Sequence, residues 1–210
     1  MAVIAALDPH VDAFQRRFLD AIAARPAPGP LFQEEVARLG RALPVGSSDG
    51  EPAVAQEQPA CAHLPCAIAA GLAGAEAPLV AAVAALAPAL CWTYGYPPDD
   101  RYPGLAERIA FCEVVGFRGL RPGGAVRLGL TLMAPGTAYP AHAHPAAETY
   151  LVISGTGLWQ AGETPAAMRP PGSVIWHPAD VPHAMTSFAD PLLAVWSWSG
   201  RIAAPPFYTT

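Results

Sequence analysis

The spacing of hydrophobic residues changes near residue 100 of this 210-residue chain. In the first hundred residues, apolar positions recur every three or four residues, which is typical of one face of a helix. Such a stripe follows Asp8 and Pro9, a helix N-cap and first-turn pair, and ends before Pro26; its members are Val11, Phe14, Phe18 and Ile22. The pattern predicts further helices over 31–43, 60–75 and 78–90, with a loop rich in Gly, Ser and Pro over 44–59.

After residue 100 the apolar runs become short and rich in β-branched and aromatic residues, with Pro and Gly clusters between them. Many short strands separated by turn signals are typical of a sandwich or barrel. The predicted strands are 109–115, 126–133, 149–153, 158–160, 173–176 and 192–198. The sequence therefore predicts an α+β chain, with a helical region over 1–105 that packs on a β-barrel over 106–210.

Composition and charge exclude several classes of partner. Hydrophobic residues make up 52% of the chain, enough for a sizeable core, and the net charge of -5 comes without any basic run. A nucleic-acid partner is excluded, because phosphate binding requires a cluster of Lys and Arg. No apolar stretch reaches the length of a membrane span, and residues 1–7 lack the basic start of a signal peptide, so we expect a cytoplasmic protein without a membrane partner.

Four of the six histidines lie between positions 142 and 183. The first group has the form Gly136-x5-His142-x-His144-x3-Glu148-x6-Gly155. Residues two apart on a strand face the same side, so His142 and His144 project together, and Glu148 returns to the same point after a short turn. Two imidazoles and a carboxylate suit a divalent ion such as zinc, iron or manganese.

A second segment with a defined spacing of Gly, Pro and His lies between positions 172 and 187. It has the form Gly172-x5-Pro178-x-Asp180-x2-His183-x3-Ser187. Together the two segments resemble the paired motifs of the cupin superfamily, with Asp180 in place of the usual Gly and Ser187 in place of the usual Asn. The resemblance implies a cupin (double-stranded β-helix, jelly-roll) barrel that holds one divalent metal ion, Zn, Mn or Fe. The implied metal ligands are His142, His144, Glu148 and His183. His177 lies outside the ligand pattern and is expected to be structural or to support the ligands.

Two tyrosines extend the first motif and narrow the resemblance. Tyr139 precedes His142 by three residues, and Tyr150 follows Glu148 by two, so that Tyr150 faces the same interior. The combined pattern is similar to that of the cupin-type lyases that cleave dimethylsulfoniopropionate (DMSP). That resemblance implies a β-elimination to dimethyl sulfide and acrylate, in which the metal binds the substrate carboxylate, Tyr150 abstracts the α-proton and Tyr139 lines the substrate pocket.

The sulfonium cation of DMSP needs an aromatic wall, because a cation is attracted to the face of an aromatic ring. The sequence offers Trp176, Trp196 and Trp198 as candidates for this wall. Tyr94, Tyr96 and Tyr102 are candidates for a lid over the barrel mouth. Whether the segments 44–60 and 94–104 move as a lid is left open.

Two other functions use the same ligand set. One is a cupin Fe(II) dioxygenase that acts on a small carboxylate, and the other is a non-catalytic cupin that binds a small molecule. Because cupins commonly pair through their barrels, a homodimer is also expected. Cleavage of DMSP without oxygen would distinguish a lyase from a dioxygenase. A requirement for Tyr150 would distinguish a lyase from a non-catalytic binding protein.

Overall fold

The computed structural model describes residues 2–26, 28–46 and 54–209, so most of the predicted loop over 44–59 lies outside the described residues. A layer of helices comes first in the chain. It comprises α1 (Ala2–Ala23), α2 (Phe32–Ala42), α3 (Leu64–Leu72) and α4 (Ala77–Leu86), with single 3-10 turns at Pro59–His63 and Ala87–Ala89. A short helix, α5 (Leu105–Arg108), leads into the strands. Among the described residues, none of the helices combines the length and apolar character that crossing a bilayer requires.

Two antiparallel sheets form the barrel. The strands are β1 (Trp92–Thr93), β2 (Ile109–Val115), β3 (Val126–Met133), β4 (Ala138–Ala143), β5 (Ala146–Ser154), β6 (Gly157–Ala161), β7 (Ala167–Arg169), β8 (Val174–His177), β9 (His183–Ser187), β10 (Leu192–Gly200) and β11 (Phe207–Tyr208). Their order is β1-β2-β3-β10-β5-β8 in one sheet and β11-β4-β9-β6-β7 in the other. Helices followed by this two-sheet barrel confirm the predicted α+β cupin fold.

The prediction for the start of the first helix is wrong. α1 begins at Ala2 and continues through Pro9, so Asp8 lies inside the helix and is not its N-cap. The Asp8 side chain instead pairs with Arg121, 3.2 Å away across the interface with the barrel. A local capping signal was therefore overridden by a contact between residues far apart in the chain.

Each face of the six-stranded sheet has its own hydrophobic core. On β10, Leu193 and Val195 point outward into a core shared with the helices, whereas Trp196 and Trp198 point into the barrel. Alternation along a strand places successive side chains on opposite faces, so the same sheet both supports the helical layer and lines the interior. Strand β5, which carries Glu148, is thus covered on its outer side by helices, whereas β4 and β9 belong to the other sheet.

Arg121 connects the helical layer to the barrel. Its side chain is completely buried, and its guanidinium donates to Asp12 Oδ1 at 2.6 Å and to the carbonyl of Pro44 at 3.1 Å, in addition to Asp8. Strand β1 lies within the predicted helical region yet is hydrogen-bonded to β2. We propose that residues 1–105 and 106–210 fold as one cooperative unit.

Replacing Arg121 should destabilise the whole chain. Removal of one partner from a buried ion pair leaves the other charges uncompensated, and we expect Arg121→Met to lower the free energy of unfolding by about 3 kcal/mol. Arg201→Met, which breaks an exposed pair with Asp180, should lower it by less than about 1 kcal/mol. Urea denaturation followed by circular dichroism measures the free energy of unfolding of both variants. If the helices of the unsubstituted protein unfold in a separate, earlier transition, the two regions do not fold as one cooperative unit.

Candidate metal centre

A buried carboxylate lies at the centre of the candidate site. Glu148 on β5 faces His144, which follows β4, and His183, which begins β9. Its Oε2 atom is 3.0 Å from His144 Nε2 and 3.1 Å from His183 Nε2. One ligand atom from each of the three residues lies within 4.8 Å of the other two. The strands therefore bring together three of the four predicted ligands, from both sheets.

The tautomer of each histidine follows from its hydrogen bond to the backbone. A carbonyl oxygen can only accept, so a ring nitrogen bonded to it must carry a proton, and the other nitrogen is the one available to a metal. In the protein without metal, His144 Nε2 donates to the Glu148 carboxylate and would release that proton on binding an ion. In each case Nδ1 donates and Nε2 is left to face the site. The pairs are His142 with Pro140 at 2.9 Å, His144 with Ala146 at 3.0 Å and His183 with Val181 at 2.9 Å. This is the arrangement that orients a metal-binding imidazole.

Glu148 is held ionised by its neighbours. Burial raises the pKa of its carboxyl, but the charge and hydrogen bond of His144, together with the close approach of His183, outweigh burial and hold that pKa well below its usual range. Trp198 donates its indole N–H to the second oxygen, Oε1, at 2.7 Å. Among the described residues, His183 Nε2 has no well-directed hydrogen bond, despite its short approach to Glu148. An unpartnered buried nitrogen beside an ionised carboxylate fits a divalent cation.

His142 lies beside this group. Its ring centroid is 4.1 Å from that of His183, and it stacks on Tyr139 at 3.9 Å, but its nitrogens lie outside the group of ligand atoms formed by the other three. Burial lowers the pKa of His142 well below its usual value, so the ring is neutral. A fourth ligand at His142 stays a prediction.

His177 supports the site from the neighbouring strand. It stacks on His183, with ring centroids 4.1 Å apart and planes at 14°. Burial lowers the pKa of His177 to about 3, so it packs as a neutral ring. This placement agrees with the expected supporting role.

Three of the four candidate ligands, His142, His144 and Glu148, line a cavity of about 180 Å³ that Tyr139 and Tyr150 also line. Burial, followed by the charge of Glu148, raises the pKa of Tyr150 well above its usual value. Burial and the neighbouring Tyr96 do the same for Tyr139. In the protein alone, both phenols are therefore protonated at neutral pH.

The structure brings two of the three predicted tryptophans into the cavity. Trp196 and Trp198 line it, but Trp176 pairs with Thr149 on the outer face of the sheet and packs against the helical layer. Trp198 contacts the ring of His144, with centroids 4.2 Å apart, and the guanidinium of Arg127, 4.7 Å from its ring. Trp176 therefore lies outside the cavity, and Trp198 is already occupied by a cation of the protein.

A cluster of tyrosines lies beside His142, and three of its members line the cavity. Tyr96 stacks on Tyr208 at 4.5 Å, and the hydroxyls of Tyr94 and Tyr208 are 2.6 Å apart. The hydroxyl of Tyr96 is also hydrogen-bonded to that of Tyr139. We call this set the tyrosine cluster: Tyr94, Tyr96, Tyr102, Tyr139 and Tyr208. With Tyr150 it accounts for all six tyrosines of the chain.

Sequence reasoning missed several of these residues. Tyr208 reaches the cluster because β11 pairs with β4, and Phe111 reaches the cavity from β2. Arg127 and Glu113, an ion pair in the cavity wall, were also missed. Strand pairing brings these residues to the site, and no local spacing in the sequence marks them. The one available signal was that tyrosine occurs only from residue 94 onward, near and after the point where the pattern changes from helices to strands.

His144→Ala should reduce metal binding sharply, because it removes a nitrogen that faces Glu148 and leaves that buried carboxylate with less compensation. We expect bound metal per chain, measured by inductively coupled plasma mass spectrometry after reconstitution with zinc, to fall to near zero. His10→Ala, at an exposed position on α1, is the matched control and should keep the full metal content. Normal metal content in the His144 variant would refute the assignment of this ligand.

Comparison with known proteins agrees with this geometry. The sequence model of the dimethylsulfoniopropionate lyase family matches residues 33–194. A putative dimethylsulfoniopropionate lyase, DddL, from Cereibacter sphaeroides is 35% identical over 145 residues, which cover 68% of this chain and 60% of the relative. The dimethylsulfoniopropionate lyase DddQ from Ruegeria pomeroyi is 26% identical over 118 residues, covering 56% of this chain and 59% of the relative. The matches thus span less than two thirds of the length of either relative.

Solved structures extend the likeness over nearly the whole chain. One, from a crystallographic study of the DMSP lyases RdDddP and RnDddQII, is 26% identical with a TM-score of 0.73 and covers 96% of this chain and 98% of its own. DddQ from Ruegeria pomeroyi DSS-3, 22% identical with a TM-score of 0.73 over 96% of this chain and 97% of its own, shares the fold. On the family match, this chain belongs to the dimethylsulfoniopropionate lyase family.

Proposed function

We propose that this protein is a metal-dependent lyase that cleaves DMSP to dimethyl sulfide and acrylate. One observation carries the proposal: a single cavity is lined by His144 and Glu148 of the ligand group that His183 completes, by Tyr150, and by Tyr94, Tyr96 and Tyr139. Membership of the family and the names of the relatives support the same substrate.

The two ends of DMSP require opposite surroundings. Its carboxylate end fits the candidate metal centre, where His144, Glu148 and His183 would hold a divalent ion, with His142 as the proposed fourth ligand. Such an ion, zinc, manganese or iron, supplies Lewis acidity that polarises the substrate carboxylate and makes the adjacent C–H more acidic. The protein contributes the negative charge and the oriented nitrogens that hold it.

The sulfonium end fits the tyrosine cluster better than the predicted tryptophans. Trp176 lies on the outer face of the sheet, and the guanidinium of Arg127 already lies over the rings of Trp196 and Trp198, at 5.7 and 4.7 Å. In the tyrosine cluster, Arg101 lies over Tyr102 at 5.3 Å, whereas the rings of Tyr96 and Tyr139 contact other aromatic rings. We therefore assign the sulfonium to the side of Tyr96 and Tyr139, where cation–π attraction contributes about 0.5–2 kcal/mol.

Tyr150 is the proposed base. Burial and Glu148 raise the pKa of its phenol, so the phenolate forms only when positive charge in the cavity offsets them, as the bound ion and the substrate sulfonium do. The phenolate oxygen takes the α-proton, the released electron pair forms the C=C bond of acrylate, and the C–S bond breaks with its pair going to sulfur. Dimethyl sulfide leaves as a neutral molecule, so the cation–π attraction that held the sulfonium against the aromatic rings is lost.

A headspace assay tests the reaction directly. Purified protein reconstituted with zinc, manganese or iron should release dimethyl sulfide from DMSP without oxygen, which a dioxygenase would require. Tyr150→Phe should keep its bound metal and lose turnover by about 10²–10⁴-fold, the usual contribution of a positioned acid or base. No dimethyl sulfide with any of the three metals would exclude the lyase, and full activity of the Tyr150 variant would exclude this base.

The assignment of the sulfonium predicts a charge-dependent effect at Tyr96. Tyr96→Leu removes an aromatic face, and we expect it to weaken DMSP binding by about 2–30-fold, the range that corresponds to one cation–π contact. Binding of 4-methylpentanoate, which replaces the sulfonium by a neutral carbon, should change much less. Tyr96→Phe keeps the face and is the matched control. Isothermal titration calorimetry in the Tyr150→Phe background measures all the affinities, and equal losses for both ligands would count against the aromatic site.

A further inference from the structure

We propose that Arg127 is a positioning residue of the metal centre, which fixes the indole of Trp198 so that Trp198 in turn orients the carboxylate of Glu148. The inference rests on the metal centre of the proposed function and adds to it a residue that touches none of the candidate ligands' donor atoms. Three contacts carry it, in sequence from Glu148 outward.

The first contact fixes the carboxylate. Trp198 Nε1 donates to Glu148 Oε1 at 2.7 Å, while the other oxygen, Oε2, faces His144 and His183. An indole N–H can only donate, so it selects a single orientation of the carboxylate, with one oxygen turned to the indole and the other to the ligand nitrogens. Partners of this kind fix the orientation of a metal ligand and raise metal affinity.

The second contact fixes the indole. One face of Trp198 rests on the ring of His144, with centroids 4.2 Å apart, and the guanidinium of Arg127 covers the indole with its carbon 4.7 Å from the ring centroid. Arg127 and Trp198 both line the cavity, and removal of the guanidinium would take this contact away from the indole. Cation–π attraction therefore holds the ring against His144 and keeps its N–H directed at Glu148.

The third contact fixes the guanidinium. Arg127 Nε donates to Glu113 Oε1 at 2.9 Å, and Nη1 donates to the carbonyl of Ile202 at 3.3 Å. The other oxygen of Glu113 accepts the backbone N–H of Arg118 at 2.9 Å. Gly116 lies against the same carboxylate, where a Cβ atom would collide with it. The turn between β2 and β3 thus anchors Glu113, and Glu113 anchors Arg127.

The charges along this path are consistent with positioning rather than with direct binding of the metal. Glu113 offsets the positive charge of Arg127, so the guanidinium can lie near the metal centre without strong repulsion of a cation there. A purely structural role for the Arg127–Glu113 pair predicts lower stability on substitution, with the ligand geometry of the folded protein unchanged. Positioning predicts a change at Trp198 and at the metal in protein that is still folded.

The test uses Arg127→Met and two readouts that do not depend on turnover. In the protein without added metal, ¹⁵N-resolved NMR reports the Trp198 indole N–H, assigned by its disappearance in Trp198→Phe. We expect that resonance to move upfield in Arg127→Met, because the hydrogen bond to Glu148 weakens. Zinc affinity, measured by competition with a chelator, should fall by about 10-fold, at the lower end of the 10–100-fold loss typical when the partners of ligands are removed.

Three further variants make the test specific. Arg127→Lys keeps the charge and should recover part of the affinity, and Arg17→Met, at an exposed position on α1, should change neither readout. Trp198→Phe should lose affinity to a similar extent or more, and should lose little further when combined with Arg127→Met, because both substitutions break the same path. Fully additive losses would overturn the path.

An unchanged Trp198 resonance and unchanged zinc affinity in folded Arg127→Met would overturn the inference. If that variant fails to fold, Glu113→Gln loosens the same guanidinium without removing it, and unchanged readouts there would overturn the inference equally. Failure of the proposed function has a different signature, since it abolishes release of dimethyl sulfide by the unsubstituted protein and leaves the resonance shift and the affinity difference in place.

Discussion

The ionised carboxylate of Glu148 is the constraint on which the rest of the site depends. A buried charge is stable only when neighbouring groups compensate it, and here the compensation comes from two imidazoles and one indole N–H. His183 lies in one sheet, and Glu148 and Trp198 lie in the other. The carboxylate therefore also joins the two sheets of the barrel, and any loss of register in either sheet would leave a charge unpaired.

The helical layer makes that arrangement possible by covering the opposite face of the same sheet. Residues of β5 and β10 alternate between the core under the helices and the interior of the barrel. Arg121 ties this layer to the barrel through Asp8 and Asp12. The interior strands are thus protected from water on their outer side, and the polar groups of the site can be confined to the cavity side.

Local patterns in the sequence predicted the fold, and three of the four predicted ligands lie together in the structure, while ligation itself stays a prediction. The spacing of His142, His144 and Glu148 marks a strand, a turn and a second strand, and such local geometry does not depend on distant contacts. The roles of the tryptophans could not be read in this way. The face on which Trp176 lies depends on its register with β5, and the availability of Trp198 depends on Arg127, a residue of another strand. Likewise Asp8 looked like a helix cap until its distant partner was known.

The contacts of Tyr208 also join residues that are far apart in the sequence. Its hydroxyl meets that of Tyr94, 114 positions earlier in the chain, and the strand that carries it pairs with β4. In chain order, Tyr94 and all four candidate ligands precede Tyr208. The stacking of Tyr96 on Tyr208 is therefore a contact that synthesis of the ligand segments alone cannot supply, and the tyrosine cluster is completed only when β11 pairs with β4.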